Sequence, residues 1–204
     1  MKREIKKILL TVVLIGFFSF ISFYIYNNYH FWTHFKTDNF IALTDYNGKN
    51  ISGKCGAQIL IHKGFKKHIE QIDKYADANN IKLIINHSYR PKNYNLSGAI
   101  VTPAKLSNHY CGFAIDFNIK YNGKIYSSIE FEKSSWNNLP SNIHNFINDI
   151  RKNKDLRWGG DFQIKDVVHI DSPLNLKDKN KWIEFSRDCD LDYSNRIPKW
   201  KFWK

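Results

Sequence analysis

The chain has 204 residues, 43% of them hydrophobic and 16% aromatic, so it can bury one core and is about the size of one domain with short appendages. It carries 31 Lys and Arg against 19 Asp and Glu, a formal net charge of +12. That excess favours an anionic partner such as nucleic acid, anionic lipid or a cell-wall polymer, without choosing among them. The three cysteines form no C-x-x-C pair, which excludes a ribbon-type zinc site.

The first predicted element is a membrane-spanning helix. Residues 1–7 form a basic segment, and residues 8–26 carry no charge. A helix over 8–26 spans roughly 28 Å, about the thickness of the bilayer core. The basic flank should stay cytoplasmic, and no small-x-small cleavage site follows the apolar stretch. We therefore expect an uncleaved single-pass anchor in the inner or cytoplasmic membrane, with the rest of the chain on the extracytoplasmic side.

Residues 27–54 predict a polar connector that contains many aromatic residues. The periodic patterns after it predict helices over 65–80, 139–153 and 180–189, and strands over 81–90, 156–162 and 166–172. Alternation over 112–128 breaks at Asn122 and Gly123, which indicates a β-hairpin. Helices and a hairpin without regular β-α-β alternation predict the α+β class, as a small antiparallel sheet with flanking helices in a domain over 55–190.

The end of the chain and the cysteines leave alternatives open. Residues 191–204 form a basic aromatic tail, which suits a membrane interface, an anionic polymer or packing onto the domain. Outside the cytoplasm a disulfide is allowed. Cys55 and Cys189 therefore either join the ends of the domain or stay reduced, as we expect for a buried Cys111.

A candidate metal site lies in the segment SNHYCGFAID, residues 107–116. His109 and Asp116 are ligand types that zinc accepts, but side chains seven apart on one strand point to opposite faces. Gly112 offers a solution, because a turn there lets the chain re-enter the strand. The segment DVVHID supplies His169 as a third ligand, with Asp166 three residues before it, where a general base belongs.

Spacing alone does not establish a metal site, since a histidine and an aspartate seven residues apart are common by chance. The joint pattern is more specific. The motif S-x-H-x-x-G-x-A-x-D is matched at all five fixed positions, by Ser107, His109, Gly112, Ala114 and Asp116. WGGDF and D-x-x-H follow it, and SYRP precedes it. Over roughly residues 55–175 the chain resembles the zinc D-Ala-D-Ala carboxypeptidase and L-alanyl-D-glutamate endopeptidase family, peptidoglycan peptidases that share a fold with the Hedgehog signalling domain.

The resemblance implies a zinc ion held by His109, Asp116 and His169. It also implies that Asp166 is the general base and that Arg90 engages the substrate or the developing oxyanion. The chain departs from the family pattern at three positions, where members usually have tryptophan, proline and an aromatic residue; these are Phe162, Val168 and Ile170. Because of these departures, the sequence does not determine which peptide bond is cut.

Other residues have two interpretations each. Ser107 either hydrogen-bonds a ligand from the second shell or forms a turn, and Asp161 either braces the same region or is a turn residue. Asp171 is a candidate for orienting His169, whereas His87 is expected not to bind the metal.

The pattern predicts a membrane-anchored zinc peptidase that acts on peptidoglycan stem peptides. The alternative is an inactive wall-binding or signalling module that keeps the fold. We expect no nucleic-acid partner, because the domain is placed outside the cytoplasm and no recognised binding motif occurs.

Overall fold

The computed structural model of the chain describes residues 2–27, 41–92, 94, 104–132 and 136–196. The helices are α1 (Lys2–Asn27), α2 (Lys66–Ala78), α3 (Ser141–Lys152), α4 (Leu174–Lys177) and α5 (Lys179–Arg196). The strands are β1 (Leu43–Asp45), β2 (Ile51–Gly53), β3 (Leu60–His62), β4 (Lys82–His87), β5 (Ala114–Tyr121), β6 (Lys124–Tyr126), β7 (Arg157–Trp158) and β8 (His169–Asp171). This mixture of small sheets and flanking helices confirms the predicted α+β class.

The main sheet has six strands in the order β2-β4-β5-β8-β7, with β6 also paired to β5. Its pairs are antiparallel except β2–β4, which is parallel. Strands β1 and β3 form a separate antiparallel pair. The sheet is therefore mixed, whereas the sequence predicts an antiparallel one, because the three-residue strand β2 carries no pattern that would reveal its partner.

The central strand β5 has two different faces. Ile115, Phe117 and Ile119 are fully buried in a core that includes apolar residues of α2 and α3. Side chains alternate along a strand, so Asp116 and Asn118 lie on the opposite, outer face, where both are partly exposed. The helices thus cover one face of the sheet, and the polar residues of β5 occupy the other.

The predicted hairpin is present between β5 and β6. Asn122 and Gly123 have φ values of 47° and 78°. Positive φ at both central residues is the requirement of the type I′ turn, which matches the twist of antiparallel strands.

Described elements lie outside the predicted domain range of 55–190 at both of its ends. Strands β1 and β2 lie within the range 27–54 that the sequence assigns to a connector. Asp192 in α5 accepts backbone N–H groups of Ile41, Ala42 and Leu43 at 2.7–3.0 Å, which fixes the start of the domain to its last helix. That helix also runs into the predicted tail as far as Arg196; residues 28–40 and 197–204 lie outside the described residues.

Helix α1 contains one segment, Glu4–Tyr24, that is long and apolar enough to cross a membrane by length and composition. The three cysteines are free thiols: Cys55 is exposed, and Cys111 and Cys189 are buried. Cys55 and Cys189 therefore do not form a disulfide in this structure.

Candidate metal centre

The site is built across adjacent strands on the outer face of the sheet. Asp116 in β5 lies directly opposite His169 in β8. On its other side the β4–β5 register shifts by one residue, and His87 lies opposite Asp116. Side chains of directly opposed residues project from the same face, so the pairing of β5 with β8 brings the predicted ligands Asp116 and His169 together.

His109 reaches the same point from a 3-10 turn, Asn108–Cys111, which precedes β5. Gly112 ends the turn with φ 69°, in the left-handed region that glycine adopts without penalty. A Cβ atom on Gly112 would also collide with the backbone nitrogen of His62. The turn therefore explains how His109 and Asp116 share a site despite their spacing of seven.

The three predicted ligands converge on one point. His109 Nε2 and His169 Nδ1 each lie 3.0 Å from Asp116 Oδ1 and 3.2 Å from each other. Among the histidine, cysteine and acidic side chains of the described residues, these three have ligand atoms that are close enough to share one metal ion. Two ligands bound tetrahedrally about 2.0–2.1 Å from a zinc ion stand about 3.3 Å apart, which is close to these separations.

Outer partners determine which ring nitrogens face inward. His109 Nδ1 lies 2.7 Å from the carbonyl oxygen of Ser88, so it carries the proton and donates it. His169 Nε2 faces the carboxylate of Asp171 at 3.5 Å. His109 Nε2 and His169 Nδ1 are therefore the ring nitrogens that face Asp116 and could bind a metal ion.

Asp171 is itself held firmly. Arg157 donates two hydrogen bonds to it, at 2.8 and 2.6 Å, and Asn108 Nδ2 donates a third at 2.8 Å. A carboxylate behind a ligating histidine is a common second-shell arrangement in metal sites. The sequence marked Asp171 as a candidate for this position but gave no indication of Arg157 or Asn108.

The electrostatics of the site favour a positive charge at its centre. Burial opposes ionisation of Asp116, yet the two histidines hold the pKa of its carboxyl well below the usual value. Burial also disfavours charge on His169, but Asp116 and Asp171 raise its pKa to about 10. Two inward nitrogens and one carboxylate oxygen form a donor set that suits zinc, so the residues fit a divalent cation.

Asp166 lies beside this group. Its backbone N–H donates to Gly159 O at 2.9 Å, and its carbonyl oxygen accepts from His169 N at 3.1 Å. A Cβ atom on Gly159 would collide with that carbonyl oxygen. The first glycine of WGGD therefore lets the backbone of this motif approach the backbone of Asp166 closely. Burial, followed by the negative charge of Asp116, raises the pKa of the Asp166 carboxyl, which favours proton acceptance.

Arg90 also lies near Asp116. Its Nη1 is 3.9 Å from Asp116 Oδ2, and its side chain is only 8% exposed. Its Nε is buried and has no hydrogen-bond partner among the described residues. The Arg90 guanidinium therefore places a buried positive charge beside the candidate metal ligands.

Among the described residues, the two predicted accessory residues make no side-chain hydrogen bond to the candidate ligands. Ser107 stands before the 3-10 turn and its side chain makes no capping hydrogen bond; its carbonyl oxygen accepts from Tyr110 N. Asp161 accepts two hydrogen bonds from Arg151, whose guanidinium lies 4.7 Å from the centre of the Trp158 ring. Asp161 therefore braces the loop that follows β7.

Comparison with known proteins gives a family match for part of the chain. Residues 101–172 match the family described as D-alanyl-D-alanine carboxypeptidase. No curated protein matches the chain. The matched range includes the three candidate ligands and Asp166 and excludes Arg90. The match supports the zinc D-Ala-D-Ala carboxypeptidase family, and with it a peptidoglycan-related metallopeptidase at the level of the family.

Proposed function

We propose that the protein is a membrane-anchored zinc peptidase that hydrolyses peptide bonds in peptidoglycan stem peptides, as an L,D-endopeptidase or a D,D-carboxypeptidase. The observation that carries the proposal is the convergence of His109 Nε2, Asp116 Oδ1 and His169 Nδ1 within 3.0–3.2 Å of one another. The family match over 101–172 supplies the substrate class.

In this proposal His109, Asp116 and His169 hold the zinc ion. When bound, zinc supplies Lewis-acid polarisation of the scissile carbonyl and of the attacking water. Asp166 accepts the proton from that water and returns it to the leaving amine. Arg90, whose guanidinium lies beside Asp116, stabilises the negative charge that develops on the carbonyl oxygen.

Helix α1 is the proposed membrane anchor. The segment Glu4–Tyr24 is apolar enough to span a bilayer, and the basic residues at its start favour a cytoplasmic N-terminus. This orientation places the domain on the extracytoplasmic side, where peptidoglycan is found.

Replacing the base tests the proposal. Asp166→Asn should bind zinc as the unchanged protein does but lose about 10²- to 10⁴-fold in kcat. Zinc content by elemental analysis and digestion of muropeptides followed by mass spectrometry measure the two properties. Lys165→Gln, at the exposed neighbouring position, is the matched control and should keep both.

Two outcomes would overturn the assignment. If Asp166→Asn kept near-normal turnover, Asp166 would not be the general base. An unchanged protein that binds zinc but cleaves no muropeptide would instead be the inactive wall-binding module. Where cleavage occurs, the product masses identify the bond.

A further inference from the structure

The outer face of the sheet continues past the metal centre along β4 and β5. Two residues beyond Asp116, Asn118 lies opposite Ile84, and two residues further Lys120 lies opposite Lys82. Leu83, Ile85, Phe117 and Ile119 between them are buried in the core, so the alternating residues are on the outer face. The described residues therefore place an amide and then two lysines in line with the metal ligands.

Asn118 has an amide partner on the neighbouring strand. Asn118 Nδ2 donates to Asn86 Oδ1 at 3.4 Å, and both side chains are partly exposed. Each amide has a donor and an acceptor, so this long single hydrogen bond leaves polar groups of both residues unused by the other. The groups of a peptide bond are complementary to such amides.

The two lysines form a like-charged pair. Lys82 and Lys120 are both exposed and are direct cross-strand partners, an arrangement that is unfavourable for like charges. Neither lysine forms an ion pair within the described part of the chain. An anion bound between them would relieve the repulsion.

The spacing suits an extended chain. Lys120 is four residues from Asp116 on the same strand, which corresponds to about 14 Å at roughly 3.4 Å per residue. An extended peptide with its scissile bond at the metal centre would pass Asn118 and place a group about four residues away between the lysines.

We propose that this outer-face strip, defined by Asn86, Asn118, Lys82 and Lys120, is a subsite for an extended acidic peptide, with a substrate carboxylate bound between the two lysines. The inference rests on the proposed peptidase function and specifies its substrate. The enzyme would then prefer stem peptides with a free side-chain or α-carboxylate over the same peptides with that carboxylate amidated. The paired amides favour a peptide over a phosphate polymer.

The test compares two matched double variants of the full chain. Lys82→Gln with Lys120→Gln removes the charge of the strip, and Lys66→Gln with Lys67→Gln removes the same charge from exposed positions on α2, which packs on the other face. With a free-carboxylate peptide, the strip variant should raise KM about 5- to 30-fold and leave kcat within about twofold. With the amidated peptide, it should behave like the unchanged protein.

Several results would overturn the inference. These are an unchanged KM, an equal rise in the α2 variant, and an equal rise for both peptides. A strip variant that loses affinity for inorganic polyphosphate but keeps the KM for the peptide would show a phosphate-polymer site instead.

A binding measurement separates this inference from the proposed function. Calorimetry with Asp166→Asn and each peptide measures affinity without turnover. If the unchanged protein cleaves nothing but this variant prefers the free carboxylate, and the lysine substitutions abolish that preference, the subsite stands and the peptidase proposal falls. If there is no preference, the subsite is rejected whatever the activity.

Discussion

At the scale of single residues, each histidine of the candidate metal centre has a second partner that sets its orientation. Ser88 provides a carbonyl oxygen to His109, and Asp171 provides a carboxylate to His169. The three candidate ligands were recognisable from the motif. The Ser88 partner was not, because it is a backbone atom whose position depends on where β4 ends.

Asp171→Asn tests the outer partner of His169. The amide carries no negative charge behind the imidazole and leaves Arg157 incompletely paired, so zinc affinity should fall about 10- to 100-fold and stability by about 1 to 3 kcal/mol. Zinc affinity is measured by competition with a chelator, and stability by urea unfolding. Asp155→Asn, in an exposed ion pair with Lys177, should change neither by a measurable amount.

His62 gives a prediction about pH. Its ring is 8% exposed and stacks on Phe185 with ring centroids 4.0 Å apart. Burial lowers its pKa from 6.5 to about 4. Between these values the unfolded chain binds a proton that the folded protein does not, so stability rises with pH and is lost as pH falls from about 6.5 to about 4.

The size of that effect is at most about 3 kcal/mol, at about 1.36 kcal/mol per pKa unit, because solvent screens part of it. His62→Phe keeps an aromatic ring against Phe185 but does not titrate. Urea unfolding between pH 4 and pH 7 should give a shallower pH dependence for this variant. Parallel curves for the two proteins would contradict the prediction.

At the scale of elements, periodic segments were predictable and very short ones were not. Helices α2 and α3 and the hairpin carry periods of 3.6 and 2 over many residues, which identifies them. Strands β1 and β2 have three residues each and are too short for any period. Their place in the domain depends on long-range contacts such as those of Asp192 with the backbone of 41–43.

Substituting two glycines distinguishes the cost of backbone strain from the cost of a steric collision. Gly112 and Gly123 both have positive φ, but a Cβ atom on Gly112 would collide with His62 whereas one on Gly123 meets nothing within 4 Å. Gly123→Ala should cost about 1–2 kcal/mol from the left-handed backbone alone and keep zinc binding. Gly112→Ala should cost more and also weaken zinc binding, because it displaces the turn that carries His109.

Thermal unfolding and zinc titration of both glycine variants measure these effects. Equal loss of stability, together with unchanged zinc affinity in Gly112→Ala, would show that the turn adjusts without moving His109.

At the scale of the whole molecule, α1 determines, under the proposed function, on which side of the membrane the domain works. The double variant Leu14→Arg with Phe17→Arg places two arginines near the centre of the apolar segment. Each arginine should raise the free energy of membrane insertion by about 2.5 to 3.5 kcal/mol. We expect the unchanged protein to stay in the membrane fraction after alkaline extraction and the double variant to be released. Lys6→Arg, which keeps the charge at the helix start, is the control. Release of the unchanged protein would contradict the proposal that α1 is a membrane anchor.

The order of the ligands along the chain has a consequence for biogenesis. His169 follows His109 by 60 positions and Asp116 by 53, and it joins them only when β8 docks beside β5. A polypeptide still leaving the ribosome or the export channel lacks its third ligand. Under the proposed function, hydrolytic capacity would thus arise only once the domain is complete, which protects the cell from premature self-digestion.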